Sequence, residues 1–233
     1  MPNDLVLTTD GSHTLRSGQF GVEYHSLHGA VQESLHVFIH SGLKPLLETG
    51  VKQVRILEMG LGTGLNALLV RQVAQQRPEV AFRYDSYEQF PVSPVEVAGL
   101  NYPAQLGVDV DLFVGLHDCG WEEDIELDPN FTLRKHRADY LSDPNRPYAP
   151  GSIDLIFYDA FAPRSQPEFW ETEGLAVSYE ALRPGGSMVT YCAKGQFKRN
   201  LRAAGFTVVP LPGPPGKREM TKGVRQTGNP ERP

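Results

Sequence analysis

Cysteine is scarce: the 233 residues contain two, Cys119 and Cys192, far apart and in no metal-ligand spacing. That excludes a disulfide framework or a cysteine-bound metal as the source of stability. A single domain of this length needs neither, because it buries most of its apolar surface. No apolar run approaches the roughly 20 residues that cross a bilayer, so no membrane association is expected. No basic-then-apolar amino terminus reads as a secretion signal, and thiols expected to stay reduced point to a cytoplasmic setting. There is no internal repeat, low-complexity tract or Gly/Ser linker, which leaves one domain. The formal net charge of −6 argues against a polyanion partner unless positive charge is gathered locally.

What is present is an alternation of apolar runs with helical patterns. "VRILEMG", a helix over about 65–76, "AFRYDSYE", helical residues beyond Pro94, "TLRKHRAD", "IDLIFYDAF", a helix over about 168–182, "GGSMVTYC", a helix over about 195–204 and "FTVVPL" follow one another. Strand and helix in turn predict an α/β fold, a mostly parallel sheet wrapped by helices. At the end, "GFTVVPLPGPPGKREMTKGV" puts a Pro/Gly turn between two strand-like pieces with no helix between them. This predicts a terminal antiparallel hairpin. Residues 1–50 read as an appendage: a turn-rich start that suggests a hairpin, then Val31, Leu35, Phe38, Ile39 and Leu43 at helical spacing. The main domain is expected over 51–225, with 226–233 a disordered tail.

"RILEMGLGTGLNALL" leads from a strand through Gly60, Gly62 and Gly64 into a helix that starts with Asn66 in its first turn. A triphosphate loop requires a lysine after the glycines, and none follows. A dinucleotide loop requires its third glycine at position 65, where Leu65 stands, and would place a pyrophosphate against Glu58 at the strand end, where two anions repel. A cationic ligand suits Glu58 better. S-adenosylmethionine has an ammonium and a sulfonium, no phosphate, and a ribose that needs an acceptor. Glu88, closing the second strand, supplies that acceptor, and Asp139, closing the third, is placed to accept from the adenine amino group.

The fourth strand ends in "YDAFAPRSQPEFW". An acid followed by an aromatic and a proline, here Asp159, Phe161 and Pro163, suits an enzyme that holds an amine. The carboxylate accepts the N–H and keeps the lone pair aimed at the electrophile. Trp170 and Phe169 read as packing of the following helix. Glu33, His36 and His40 share a helical face, but their spacing reads as a polar wall, and no metal is expected.

"ILEMGLGTGLNALL", "YDSYEQFPVSP", "DLIFYDAFAPRSQPEFW", "LRPGGSMVTYCAKGQFKRNLRAAGF" and "GKREMTKG" occur in that order, with "QESLHVFI" before them. Together they resemble the methyltransferase half of the bacterial bifunctional tRNA 5-methylaminomethyl-2-thiouridine biosynthesis proteins, over about residues 20–223. The resemblance implies a Rossmann-like class I S-adenosylmethionine-dependent methyltransferase acting on the 5-aminomethyl group of a tRNA wobble uridine. It places Glu58, Gly60, Gly62, Gly64, Asn66, Glu88 and Asp139 on the cofactor, Asp159 as the catalytic acid, and Glu33 as a second acid near the site. No second glycine fingerprint, as a flavin oxidase half would carry, is found. A separate enzyme is therefore expected to supply the aminomethyl precursor.

From Lys194 to Arg225 eight cations stand against one acid, Glu219. A solvated face is the plain reading. With the resemblance, Lys198, Arg199, Lys217 and Arg218 become the expected phosphate contacts to the tRNA, with Arg164 against the anticodon loop. Three rival readings stand beside this one, a dinucleotide oxidoreductase the last of them. An aminopropyltransferase of the spermidine synthase type keeps the fold and the acids but uses the decarboxylated cofactor. A non-catalytic tRNA- or cofactor-binding module would not require "DAFAP".

Overall fold

A computed structural model describes residues 2–144 and 146–227 of the chain. Most of the expected disordered tail thus lies outside the described residues.

The chain opens with an antiparallel hairpin, β1 (Asp4–Leu7) and β2 (His13–Arg16). Helix α1 (Ala30–Ser34) then widens into a π-helical stretch, Leu35–Leu43, and closes as α2 (Lys44–Leu47). The apolar spacing predicts an ordinary helix, and the widening is a departure from it. Two contacts account for the wider turn: Ser41 Oγ donates to the His36 carbonyl at 2.8 Å, and Gly42 presses against the sheet. A Cβ on Gly42 would lie 2.9 Å from Val189 Cγ2, so only the bare backbone comes this close.

Then follow β3 (Gln53–Met59), α3 (Leu65–Gln76), β4 (Ala81–Tyr87), α4 (Pro94–Gly99), α5 (Tyr102–Leu106), α6 (Val110–Asp118), β5 (Ile125–Asp128) and β6 (Phe131–His136). The second half holds β7 (Ile153–Tyr158), α7 (Pro167–Trp170), α8 (Thr172–Ala181), β8 (Leu182–Thr190), α9 (Gly195–Ala203), β9 (Thr207–Pro212) and β10 (Glu219–Val224). The helix expected over 168–182 is broken at Glu171, whose extended backbone separates α7 from α8.

Eight strands form one sheet in the order β5-β6-β4-β3-β7-β8-β10-β9. β6, β4, β3, β7 and β8 run parallel, and β10 lies antiparallel between β8 and β9. β5 adds a second antiparallel edge, hidden in the sequence because it is short and acidic. The central strands are buried on both faces, as in β3, where Val54, Ile56, Leu57 and Met59 are all enclosed. From β3 the chain crosses to β4 on one side, and the later β7 pairs on the other. That reversal leaves a crevice beyond the carboxyl ends of β3, β4 and β7, where open parallel sheets bind ligands.

Candidate active site

The crevice holds a cavity of about 520 Å³, within the range of about 300–1,000 Å³ for small-molecule sites. Gly60, Gly62, Asn66, Glu88, Asp139, Asp159 and Phe161 all line it. Of the expected cofactor residues, Glu58 and Gly64 do not.

The floor is the β3–α3 loop. Gly60 has φ 88°, and a Cβ there would sit 3.3 Å from the Asp159 carbonyl oxygen; glycine therefore lets the loops after β3 and β7 meet. The N–H groups of Gly60 and Leu61 donate to the Tyr87 carbonyl at 2.9 and 3.1 Å. Gly62, at φ 51°, turns its N–H to Glu88 Oε2 at 2.9 Å. Glu88 Oε1 accepts from Phe90 N at 2.7 Å. Each carboxylate oxygen keeps a second lone pair, so Glu88 braces the loop and still presents acceptors to the cavity.

Glu58 departs from its expected place. It is fully buried beneath the loop, with Ser86 Oγ donating to its Oε2 at 2.6 Å, while the neighbouring Met59 faces the cavity. A residue at a strand end falls above or below the floor according to the pleat, so Glu58 acts on a ligand through space and not by contact. Asp139 lies three residues past the end of β6. Its carboxylate accepts from Leu141 N at 3.0 Å and Ser142 Oγ at 3.1 Å, closing a turn at the cavity wall.

Asp159 follows β7 directly. Its Oδ2 accepts from Asn66 Nδ2 at 2.9 Å. The Asn66 Oδ1 is buried with no donor among the described residues, an open acceptor beside the acid. Burial, then the charges of Glu58 and Glu33, push the Asp159 carboxyl well above the ordinary range. Burial also raises Glu58, to about 7, and Glu88. Three carboxyls held up by burial around one cavity would be relieved by a cation.

The sequence did not disclose the roof. The loop between β2 and α1 contributes Phe20, Tyr24 and His25 to the cavity. Phe20 packs on Phe161 at 4.8 Å and on Phe90 at 6.1 Å, and Tyr24 on Phe161 at 4.9 Å. The only signal was aromatics in an otherwise turn-rich stretch, "GQFGVEYHS". Pro163 lines a separate, more open groove with Trp170 and Lys194. Trp170 is buried, its Nε1 donating to the Phe161 carbonyl at 2.8 Å.

The basic segment is thinner than its composition. Lys198 pairs with Glu219 at 2.7 Å. Lys217 turns inward to Glu33 Oε2 at 2.5 Å, a 184-residue separation that no local pattern reveals. Arg225 donates to the carbonyls of Tyr179, Glu180 and Leu182. Arg164, Lys194, Arg199, Arg202 and Arg218 remain exposed. On α1 and the π-helical stretch, Glu33 is buried, His36 Nε2 lies 2.8 Å from the Pro212 carbonyl and His40 is exposed.

A family model described as S-adenosyl-L-methionine-dependent methyltransferase matches residues 138–226. Full-chain likeness extends to a solved structure from Aquifex aeolicus described as MNMC2, with a TM-score of 0.78 and 23% identity over 98% of this chain and 71% of that one. A probable spermidine synthase from Corynebacterium glutamicum follows at a TM-score of 0.53 and 18% identity, covering 95% of this chain and 76% of that one. Sheet order, switch-point crevice and family match define an S-adenosylmethionine-dependent methyltransferase of class I fold.

Within that class, the chain is a relative of the MnmC methyltransferase domain. It is 32% identical over 222 residues to the tRNA 5-methylaminomethyl-2-thiouridine biosynthesis bifunctional protein MnmC of Pseudomonas fluorescens, covering 89% of this chain and 33% of that protein. The counterpart in Chromohalobacter salexigens is 30% identical over 218 residues, covering 88% of this chain and 30% of that protein. The chain therefore spans about a third of the length of the curated relatives it matches. Among the described residues no helix is long and apolar enough to cross a membrane.

The cavity fits this cofactor chemically. Glu88 would take the ribose hydroxyls, Asp139 the adenine edge, and the open Asn66 Oδ1 the ammonium, with buried carboxyls opposite the sulfonium. This sets a pH dependence. A bound cation favours the ionised carboxyls, so binding releases protons, and affinity should climb as pH rises through about 7, where Glu58 titrates. The climb should be steeper for S-adenosylmethionine than for S-adenosylhomocysteine, which shares the ammonium but lacks the sulfonium. Calorimetry in two buffers of different ionisation enthalpy measures both; equal slopes for the two ligands would mean that the carboxyls do not sense the sulfonium.

Proposed function

We propose that this chain transfers a methyl group to the 5-aminomethyl nitrogen of a tRNA wobble uridine. The observation that carries the reading is the Asp159 carboxylate on the cavity wall, held by Asn66 at 2.9 Å. The role of the MnmC relatives in tRNA 5-methylaminomethyl-2-thiouridine biosynthesis supports it. Bound in the cavity, S-adenosylmethionine supplies an electrophilic methyl group. The residues of the chain have the remaining tasks. An ammonium has no lone pair, so the acceptor must lose a proton before attack. Asp159, its proton affinity raised by burial, is suited to accept that proton and to orient the remaining N–H. Phe20, Phe90 and Phe161 exclude water above the acid. The reaction is assigned to the cytoplasm.

The test is single-turnover transfer from labelled cofactor to tRNA bearing aminomethyluridine, with product nucleosides read by mass spectrometry. Methylaminomethyluridine is the expected product. Transfer of an aminopropyl group from the decarboxylated cofactor to a small amine, with none to tRNA, would establish the spermidine synthase type instead.

The tRNA contact is assigned to the exposed cations of α9 and the β9–β10 turn. Replacing Arg199, Arg202 and Arg218 together by glutamine should weaken tRNA binding and leave cofactor affinity intact. It should also flatten the dependence of log K on log salt by about 0.7–0.9 per lost phosphate contact. An unchanged slope would return these arginines to the status of a solvated face.

A further inference from the structure

Lys217 is the cation of the basic segment that pairs with an acid of the amino-terminal helix. It sits in the turn between β9 and β10, and its Nζ reaches Glu33 Oε2 at 2.5 Å and lies 4.2 Å from the centre of the Tyr191 ring. Glu33 is itself fixed, its Oε1 accepting from Ser26 N at 2.9 Å. Tyr191, just past β8, donates through its hydroxyl to the Ala160 carbonyl at 3.0 Å, one residue beyond Asp159. The turn is pressed down: a Cβ on Gly216 would overlap the His28 ring, and Lys217 N donates to the Pro214 carbonyl at 2.9 Å. Three remote parts of the chain, α1, the end of β8 and the terminal hairpin, thus converge behind the acid with one positive charge among them.

We propose that Lys217, clamped by Glu33 and seated on the Tyr191 ring, is a positioning residue that fixes the electrostatic setting in which Asp159 meets the acceptor amine. The inference rests on the amine-methylation reading of the site. Asp159 is faced by Glu58 from β3, Asn66 from α3, Tyr84 from β4, Glu33 from α1, Tyr191 after β8 and Lys217 from the hairpin turn. Burial and the two glutamates favour its neutral form; the Asn66 bond and the Lys217 charge favour the anion. His25, near the same pair, is driven by burial down to about 4 and stays neutral, so it adds no charge at working pH.

This arrangement predicts shifts of opposite sign. Lys217→Met removes the favourable charge, so the acidic limb of the kcat/KM profile should move up by about one pH unit. Glu33→Gln removes an unfavourable charge and keeps one of the two acceptors that Lys217 and Ser26 N–H use, so the limb should move down. Lys217→Arg keeps the charge and should hold the native limb. A merely structural clamp would lower the rate in both variants and leave the limb where it was.

A second measurement does not need turnover. In protein carrying 13C-labelled aspartate carboxyls with S-adenosylhomocysteine bound, the signal missing from Asp159→Asn identifies Asp159, and its titration should shift in the same two directions. Unmoved or same-direction shifts overturn the role of Lys217. If the native protein fails to methylate aminomethyl-tRNA, the reading of the acceptor fails, while the carboxyl titration still decides the inference.

Discussion

Asp159→Asn is expected to lower the methyl-transfer rate by about 10²-fold or more, the range for loss of positioning together with proton transfer. The substitution keeps the shape and can keep the Asn66 contact: the amide oxygen takes the place of Oδ2 and accepts from Asn66 Nδ2, now 2.9 Å away. What it loses is the charge and the second acceptor, the features that an incoming amine uses. Affinity for S-adenosylhomocysteine, which lacks the sulfonium, should stay close to native, because the ribose and adenine acceptors are elsewhere. Single-turnover rates on aminomethyl-tRNA across a pH series separate the two contributions. A deficit that shrinks as pH rises means that Asp159 mainly removes the proton, which hydroxide and bulk base then replace. A constant deficit means orientation. Near-native turnover at every pH would take Asp159 out of the mechanism, and with it the main reason for calling the acceptor an amine.

The parts of the site that were legible in the sequence are those whose chemistry is tied to a local backbone requirement. Gly60 and Gly62 announce a loop that must turn with positive φ, and Glu88 announces itself by closing a buried strand next to that loop. Asp159 is legible for the same reason at the end of β7. Glu58 shows the limit of such reasoning. Its position at the strand end was clear, but a one-residue difference in the pleat decides whether a side chain faces the cavity or lies under its floor, and the buried Met59 has the place on the cavity. Spacing also could not separate an α-helix from the π-helical stretch 35–43, since the widening depends on how closely Gly42 approaches β8.

Long-range pairing was out of reach altogether. A run of lysines and arginines states an amount of charge, not a direction, and the partner that turns Lys217 inward lies at the other end of the chain. The roof has the same origin. Phe20 and Tyr24 gain their meaning only when the loop before α1 folds over the β3–α3 loop, where a Cβ on Gly62 would lie 3.1 Å from the Tyr24 ring. A segment that reads as an appendage is thereby part of the cofactor cavity, and the boundary expected near residue 50 does not divide the site.

Glu88→Ala is expected to weaken S-adenosylmethionine binding by about 1.5–3 kcal/mol, roughly 10- to 150-fold, from the loss of charge-assisted hydrogen bonds. The geometry gives that loss two sources. Glu88 is placed to accept from the ribose hydroxyls, but it already accepts from Gly62 N at 2.9 Å and Phe90 N at 2.7 Å, so its removal also frees the glycine loop. Glutamine does not resolve the two, because it offers one acceptor where two backbone N–H groups need one each. A change on the ligand side does. Native protein should bind S-adenosylhomocysteine more tightly than its 2′-deoxy analogue, since the missing hydroxyl leaves a buried acceptor unpaired. In Glu88→Ala that preference should vanish: both ligands bind weakly and alike, and the difference between the two ratios isolates the ribose contact from the loop. If the variant keeps the native preference while both affinities fall together, Glu88 holds the loop, and the ribose finds its acceptor elsewhere in the cavity.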